Sequence, residues 1–257
     1  MPAPPLILVT NDDGITAPGI LALIAVMNTL GDVCVVAPDS PQSGMGHAIT
    51  INSTLFCNKM KAIPNQPQRE YSCSGTPVDC VKLAVNEILK RKPDLCVSGI
   101  NHGSNSSINV IYSGTMSAAV EAGTLGIPSI GFSLLDYSME ADFGPAKNFV
   151  KKIAQQCIKN GLPKGVVLNV NIPKLPEKEI KGIKVCRQAN AHWQEAFDKR
   201  TNPLGRDYYW LTGTFVNSDK GEDTDEWALK NGYLSVVPVQ FDLTAHHAIQ
   251  EINTWKL

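Results

Sequence analysis

The sequence has two long stretches that lack positive charge. No Lys or Arg occurs between Met1 and Asn58, and none occurs between Pro93 and Ala146. Over all 257 residues, 23 basic and 24 acidic side chains leave a net charge of −1. This balance gives no general reason to expect a nucleic-acid polymer or a membrane as partner. If the two stretches build a site for an anion, a metal ion must supply much of the positive charge.

Long apolar runs, a basic leader and paired cysteines are missing as well. The longest early apolar run, residues 20–27, is far shorter than the ~20 residues that span a bilayer. The N-terminus has no basic segment and reaches two aspartates almost at once, unlike a secretory signal peptide. The seven cysteines include no C-x-x-C pair. We therefore expect reduced, mostly buried thiols and a cytoplasmic location.

Strand-like and helix-like patterns alternate through the first two thirds of the chain. Apolar runs predict buried strands at residues 6–10, 33–37, 95–98, 129–132 and 166–170. Helical spacing predicts helices from Pro18 to a Gly31 cap, over residues 77–92, around 118–125 and across 149–158. This alternation predicts an α/β fold with a doubly wound, mainly parallel, Rossmann-like sheet.

The pattern changes after Cys186. Residues 187–232 are polar, aromatic and turn-rich, and alternation around 207–216 predicts a β-hairpin that projects from the core. The aromatic residues of this segment either pack within an irregular insertion or form a subunit contact. Stacking of a nucleobase on Trp193, Tyr209 or Trp210 is a third possibility, but packing is the more common role of such side chains.

An acidic turn follows the first predicted strand directly, as Asn11-Asp12-Asp13-Gly14. Ligands of open α/β sheets bind beyond the carboxyl ends of the strands. Adjacent carboxylates repel each other, which favours a cation between them, and carboxylate oxygens select Mg²⁺, Mn²⁺ or Ca²⁺. The alternative is that Asp12 or Asp13 caps the following helix and Gly14 only allows a tight turn.

Three further polar segments are expected at the same edge of the sheet. Residues 38–44 follow the second strand, residues 98–105 follow the third, and Tyr112-Ser113-Gly114-Thr115 leads into a helix. Ser113 and Thr115 offer hydroxyls, and the helix N-terminus offers free backbone N–H groups, which suit a phosphate without any lysine. By itself such a serine is usually only a helix cap. Beside an acidic turn, the segment is typical of a phosphate site.

These segments together resemble the stationary-phase survival protein SurE family. The matching motifs occur in order along nearly the whole chain, which makes the set much more specific than any one of them. They are Asn11-Asp12-Asp13-Gly14, Ala17-Pro18-Gly19, Ala37-Pro38-Asp39, Gln42-Ser43-Gly44, Ser74-Gly75-Thr76-Pro77, residues 98–105, Tyr112-Ser113-Gly114-Thr115, Gly232-Tyr233-Leu234-Ser235 and Asp242-Leu243-Thr244-Ala245-His246.

The resemblance implies a metal-dependent 5′-nucleotidase that hydrolyses nucleoside monophosphates to nucleoside and phosphate. It assigns one divalent cation, Mg²⁺ or Mn²⁺, to Asp12, Asp13, Ser43 and Asn101, and the phosphate to Asn101, Ser113, Gly114 and Thr115. Asp12 and Asp13 are the candidate catalytic residues. A non-catalytic nucleotide-binding oligomer is the alternative, since the same loops would bind a nucleotide without turning it over.

The resemblance also implies an assembly and a domain layout. We expect one domain over residues 1–257, with an α/β core at 1–186, a projecting hairpin at 187–232 and a C-terminal strand and arm at 233–257. The arm is expected to be exchanged between the subunits of a homodimer or homotetramer. Ser107 and Asn109 depart from the Gly and Asp usual in the family, and residues 44–47 differ as well. These departures leave the expected ligands in place and bear on loop shape and substrate preference.

Other phosphate enzymes fit the sequence less well. A haloacid-dehalogenase-like phosphatase needs Asp-x-Asp, whereas Asp12 and Asp13 are adjacent. A receiver domain needs a lysine that the stretch from Pro93 to Ala146 lacks. No P-loop is present, and no predicted strand is followed by G-x-G-x-x-G, which argues against ATPases and dinucleotide-dependent oxidoreductases.

Overall fold

The computed structural model describes residues 3–61, 66–138 and 140–256. Eleven strands and six α-helices occur in these ranges. The strands are β1 (Leu6–Thr10), β2 (Asp32–Pro38), β3 (Cys57–Lys59), β4 (Arg69–Cys73), β5 (Leu95–His102), β6 (Ser129–Leu134), β7 (Val166–Ile172), β8 (Ile183–Val185), β9 (Ala191–Thr201), β10 (Asp207–Asn217) and β11 (Leu234–Gln240). The helices are α1 (Pro18–Met27), α2 (Pro77–Leu83), α3 (Gly114–Thr124), α4 (Lys147–Asn160), α5 (Asp225–Lys230) and α6 (His246–Ile252).

Nine strands form one sheet in the order β3-β4-β2-β1-β5-β6-β7-β11-β8. The central strands from β4 to β7 are all parallel, whereas β3 and β11 run antiparallel to their neighbours β4 and β7. The predicted mainly parallel α/β sheet is therefore confirmed. The chain moves from β1 to β2 on one side and reaches β5 on the other. This reversal opens a crevice at the carboxyl ends of β1 and β5, where ligands of such sheets bind.

Helices cover the sheet on both faces because its central strands are apolar on both. Ile7 and Val9 of β1 pack in one core cluster with α1 and α4. Leu6 and Leu8, which point the other way, pack in a second cluster with α2 and α3. Continuous apolar strands of this kind need cover on both faces. All seven cysteines are free, and every one except the half-buried Cys57 is buried.

Three predicted boundaries were wrong. Gly31 does not cap α1, which ends at Met27 with Asn28 as its cap; a Cβ on Gly31 would collide with the Pro5 carbonyl. The helix predicted to Lys92 is α-helical only to Leu83 and then widens into a π-helical turn over residues 84–88. β5 continues past Ser98 to His102, with an irregularity between Ser98 and Asn101, so Asn101 lies on the strand rather than in a loop.

The hairpin predicted after Cys186 is present. β9 and β10 form a separate two-stranded antiparallel sheet whose register runs from Ala191↔Asn217 to Thr201↔Asp207. Most of its side chains are exposed. In the described part of the chain, no helix is long and apolar enough to cross a membrane.

Candidate active site

The acidic turn lies in the crevice beside β1 and is held by its neighbours. Asn11 donates a side-chain hydrogen bond to the Gly14 carbonyl at 2.8 Å, which closes the turn. Asp12 is almost fully buried, with 4% of its surface exposed, and its Oδ1 accepts a hydrogen bond from the Thr115 hydroxyl. Asp13 is half-buried, and its Oδ2 accepts the His102 backbone N–H at 3.3 Å. Neither carboxylate serves as a cap for α1, whose N-cap residue is Ala17.

The N-terminus of α3 packs directly against Asp12. A Cβ on Gly114 would lie 2.8 Å from the Asp12 Cβ and 2.9 Å from its Oδ2, so only glycine allows this approach. Ser113 is the N-cap, and its Oγ accepts the Met116 backbone N–H at 3.0 Å. Its hydroxyl proton is still available for another acceptor. The first turn of a helix leaves backbone N–H groups without intrahelical partners, so this N-terminus suits an anion.

The end of β5 forms the opposite wall. Asn101 donates from Nδ2 to the carbonyls of His102 and Gly103, both at 3.0 Å, which leaves its Oδ1 as a free acceptor for a ligand. The His102 ring lies 3.1 Å from the Ser138 carbonyl through Nδ1 and packs edge-on against Phe143, with centroids 5.0 Å apart. The His102 backbone therefore orients Asp13, while its ring packs beside the crevice.

The loop after β2 reaches the acidic turn through its backbone. Gln42 donates its N–H to the Asp12 carbonyl at 2.7 Å, and the Pro38 carbonyl accepts the Ile15 N–H at 2.8 Å. Ser43 follows Gln42 and is exposed. The Gly46 N–H bonds the Tyr112 carbonyl at 3.2 Å, so the loop runs from Asp12 to the residue that precedes Ser113. The structure thus brings the acidic turn, the Ser43 loop, Asn101 and residues 113–115 to one crevice.

Within the described residues, neither carboxylate forms an ion pair with a basic side chain. Burial raises the pKa of Asp12 to about 6, against the lowering effect of the Thr115 hydrogen bond, and the nearby Asp13 raises it further. Burial also raises the pKa of Asp13, against the lowering effects of the His102 backbone N–H and of the His102 charge. Such a pair is unfavourable unless a cation shares it.

The chemistry of these donors fits a hard divalent cation. Two carboxylates, a hydroxyl and an amide oxygen are ligands typical of Mg²⁺ or Mn²⁺, which also retain water. No group of three or more His, Cys, Asp or Glu side chains arranged for a metal occurs within residues 3–61, 66–138 and 140–256. The acidic turn itself offers two such side chains, Asp12 and Asp13.

A buried amide network that the sequence analysis missed supports the 98–105 segment. The Asn171 side chain accepts the Asn105 N–H at 2.8 Å, and Asn169 donates to the Asn105 carbonyl at 2.8 Å. The Asn105 side chain donates to the Ser133 hydroxyl at 2.8 Å. All four residues are buried; Asn105 follows β5, Ser133 lies on β6, and Asn169 and Asn171 lie on β7. Two asparagines at alternate positions of an otherwise apolar strand were the signal available in the sequence.

The two departures at Ser107 and Asn109 both contact the hairpin region. Ser107 adopts a positive φ of 53°, donates its hydroxyl to the Ala189 carbonyl at 2.9 Å and its N–H to the buried Asp225 carboxylate at 2.8 Å. Asn109 accepts the Trp193 indole N–H at 2.7 Å. The turn that leads into Ser113 is therefore tied to the base of the hairpin, which the sequence analysis did not foresee.

Comparison with known proteins agrees with this geometry. The family model described as Survival protein SurE matches residues 7–195. A protein named 5′-nucleotidase SurE from Christiangramia forsetii is 75% identical over 98% of this chain and 97% of its own length. Its namesake from Flavobacterium johnsoniae is 76% identical with the same coverage. The crystal structure of the SurE protein from Aquifex aeolicus superposes with a TM-score of 0.84 at 40% identity, covering 97% of this chain and 98% of that one.

Proposed function

The chain belongs to the survival protein SurE family, and from this we infer that it is a 5′-nucleotidase, a phosphoric monoester hydrolase that releases phosphate from nucleoside monophosphates. Relatives that share about three quarters of its residues carry that name. The observation that carries the inference is the packing of Gly114, at the N-terminus of α3, against the carboxylate of Asp12. This packing supports a phosphate site at the α3 N-terminus beside a cation site at the acidic turn.

We assign one divalent ion, Mg²⁺ or Mn²⁺, to Asp12, Asp13, Ser43 and Asn101. When bound there, the ion supplies Lewis-acid polarisation of the phosphate ester. Among the described residues, neither carboxylate forms an ion pair with a basic side chain, so both remain available to a cation. Without the ion, two adjacent carboxylates would repel a phosphate dianion, so metal removal is expected to abolish both binding and turnover.

The remaining steps fall to residues of the chain. The Ser113 hydroxyl, the backbone N–H of Gly114 and the α3 N-terminus as a whole bind the phosphate oxygens, with Asn101 on the opposite wall. These fixed donors stabilise the oxygens as charge shifts during P–O cleavage. The Thr115 hydroxyl donates to Asp12 and so orients that carboxylate. Thr115 thus has a second role beside its part in the phosphate site. The water oxygen would bond to phosphorus as the P–O bond to the nucleoside breaks; one of the two aspartates would accept the water proton and pass it to the 5′-oxygen of the leaving nucleoside.

The decisive experiment measures phosphate release from AMP and GMP. Activity should disappear with EDTA and return with Mg²⁺ or Mn²⁺. Asp13→Asn should remove nearly all activity at excess metal, whereas Asp32→Asn should not, because Asp32 is exposed at the amino end of β2. Full activity of Asp13→Asn would refute the assignment. Nucleotide binding without phosphate release under every metal would identify the alternative, a non-catalytic nucleotide-binding oligomer.

We further propose that the chain forms a homodimer or homotetramer with exchanged C-terminal arms. The arm after β11 exposes apolar side chains, with Leu243 at 92% and Trp255 at 59%, which favours cover by another subunit. Asp242 and His246 lie 3.1 Å apart at its start and fix the direction of α6. Light scattering on the full chain and on a chain shortened after Gln240 tests this.

For the compartment we propose the cytoplasm. All seven cysteines are free, and free thiols are typical of proteins kept under reducing conditions.

A further inference from the structure

A second concave surface lies next to the phosphate site, between the hairpin and the turn before α3. It encloses a cavity of about 450 Å³ lined by Tyr112, Trp193, Glu195, Leu211, Thr212 and Gly213. Tyr112 immediately precedes Ser113, and its carbonyl accepts the N–H of Gly46 from the Ser43 loop. Tyr112 therefore connects the cavity to the α3 N-terminus, so a ligand whose phosphate binds there can extend into the cavity.

The hairpin presents one face to this cavity. In the β9–β10 register, Trp193 is opposite Phe215, Glu195 is opposite Gly213, and Phe197 is opposite Leu211. Residues directly opposite each other share a face, as do alternate residues of one strand. Gly213 bears no side chain, and a Cβ there would lie 2.8 Å from the Gln194 carbonyl. Gly213 therefore places no side chain opposite Glu195, and the position is too close to the Gln194 carbonyl to accept one.

The aromatic wall of the cavity is held in place. The Trp193 indole N–H bonds Asn109 at 2.7 Å, and its ring packs edge-on against Phe215 with centroids 5.5 Å apart. Yet 42% of Trp193 and 50% of Tyr112 remain exposed. Aromatic rings that are oriented but uncovered suit stacking with a planar ligand, and stacking of a base on such a ring tolerates every base.

Glu195 can distinguish one base from another, which the stacking rings cannot do. A carboxylate only accepts hydrogen bonds, and two adjacent N–H donors satisfy both of its oxygens. Guanine carries two such donors, N1–H and the 2-amino group, side by side on one edge. Adenine and cytosine place a ring nitrogen acceptor next to their amino group, which a carboxylate repels, and uracil carries a single N–H. The chemistry of the cavity thus favours guanine.

We propose that this cavity is the nucleobase subsite of the enzyme, with Trp193 and Tyr112 stacking the base and Glu195 selecting guanine through its 2-amino group. The proposal rests on the proposed nucleotidase function. A second copy of the chain is the competing occupant of the exposed hairpin face, and the experiment separates the two.

The test compares GMP with IMP, which lacks only the 2-amino group. The wild type should hydrolyse GMP with a kcat/KM roughly tenfold to a hundredfold above that of IMP, the range of a lost hydrogen bond to a charged group. In Glu195→Gln this ratio should fall towards one, because a glutamine offers one acceptor and sets a donor against the second N–H. Equal GMP-to-IMP ratios in the two proteins would overturn the role of Glu195, because a merely structural change lowers both substrates alike.

Trp193→Ala has a matched control in Trp210→Ala, which alters the opposite face of the same hairpin. Trp193→Ala should raise the KM for GMP by a larger factor than the KM for ribose 5-phosphate, which has no base, because loss of the Asn109 bond affects both substrates alike; Trp210→Ala should change neither. Equal losses in both variants, or a loss that follows subunit dissociation in light scattering, would overturn the subsite and identify a subunit contact.

Calorimetric binding of guanosine and inosine keeps this proposal separate from the proposed function. A preference for guanosine that Glu195→Gln removes supports the subsite even if no phosphate is ever released. Phosphate release from ribose 5-phosphate without any preference between the two nucleosides refutes the subsite and leaves the nucleotidase intact.

Discussion

Gly114→Ala tests whether the contact between α3 and Asp12 governs activity. The added Cβ would lie 2.8 Å from the Asp12 Cβ, well inside the ~3.5 Å at which carbon atoms meet favourably. Asp12 has little freedom to yield, because Thr115 binds its carboxylate and the Gln42 N–H binds its carbonyl at 2.7 Å. One of these bonds must break, or α3 must shift.

The expected magnitudes differ for stability and for activity. Overpacking costs about 1–3 kcal/mol, and Gly114 is the first residue of α3, where the helix propensity of alanine contributes little, so the free energy of unfolding should fall by about 1–3 kcal/mol. A catalytic group displaced by about 1 Å loses roughly a hundredfold in rate. We therefore expect a folded variant with a kcat/KM about a hundredfold lower, measured as phosphate release at saturating metal.

The control for this variant lies on the same helix. Thr124 ends α3, and its hydroxyl donates to the Glu121 carbonyl at 2.7 Å, one turn back on the same helix, so Thr124→Ala should keep wild-type activity. Urea denaturation gives the folded fraction of each variant. Wild-type kcat/KM in Gly114→Ala, or a loss no larger than its loss of folded protein, would refute the reasoning.

Two further predictions concern the supports of the Ser43 loop. His47→Ala removes a 2.9 Å contact with Glu121. Such a bond is worth about 1 kcal/mol, so the metal concentration for half-maximal activity should rise roughly fivefold. Lys82→Ala removes the other Glu121 partner, and an equal rise in that variant would contradict a role specific to the loop. Asp79→Asn disrupts the α2 capping box and should cost about 1–2 kcal/mol at pH 7. Burial raises the pKa of Asp79, but hydrogen bonds from Thr50 and Thr76 lower it below its usual value. The contribution of Asp79 to the free energy of unfolding is thus present above pH ~4 and lost as the pH falls through the lowered pKa. Urea titrations measure this free energy for the wild type and the variant. An equal difference between the two proteins at pH 7 and in acid would contradict the prediction.

The apparent cost of the acidic turn has a functional explanation. Burial raises the pKa of Asp12 to about 6, which means that the folded chain without a cation resists ionising this carboxylate. Residues that lower stability in this way cluster at functional sites. The divalent ion assigned to the turn would reverse the penalty, because it favours the ionised form.

Local sequence determined much of the architecture. Leu6–Thr10 is apolar throughout, and Pro18 begins a helix soon after it, so β1 and α1 could be placed without any tertiary information. The acidic pair stands directly after that strand, so its position at the sheet edge followed from the rule for open α/β sheets. The order of polar motifs along the chain indicated the family, and membership of the family indicated the activity.

Tertiary structure alone decided which of these segments touch and how. The contact of Asp12 with Thr115 joins residues 103 positions apart, and that of Ser107 with Asp225 joins residues 118 apart. Neither has a local signature, because a long-range contact depends on how the helices pack against the sheet and not on neighbouring residues. Gly31 is another case, since a Cβ at this position would collide with the Pro5 carbonyl. The cavity beside Trp193 likewise depends on contacts between distant segments. Sequence periodicity reports what a residue does within its own element, whereas the site depends on the distances between elements.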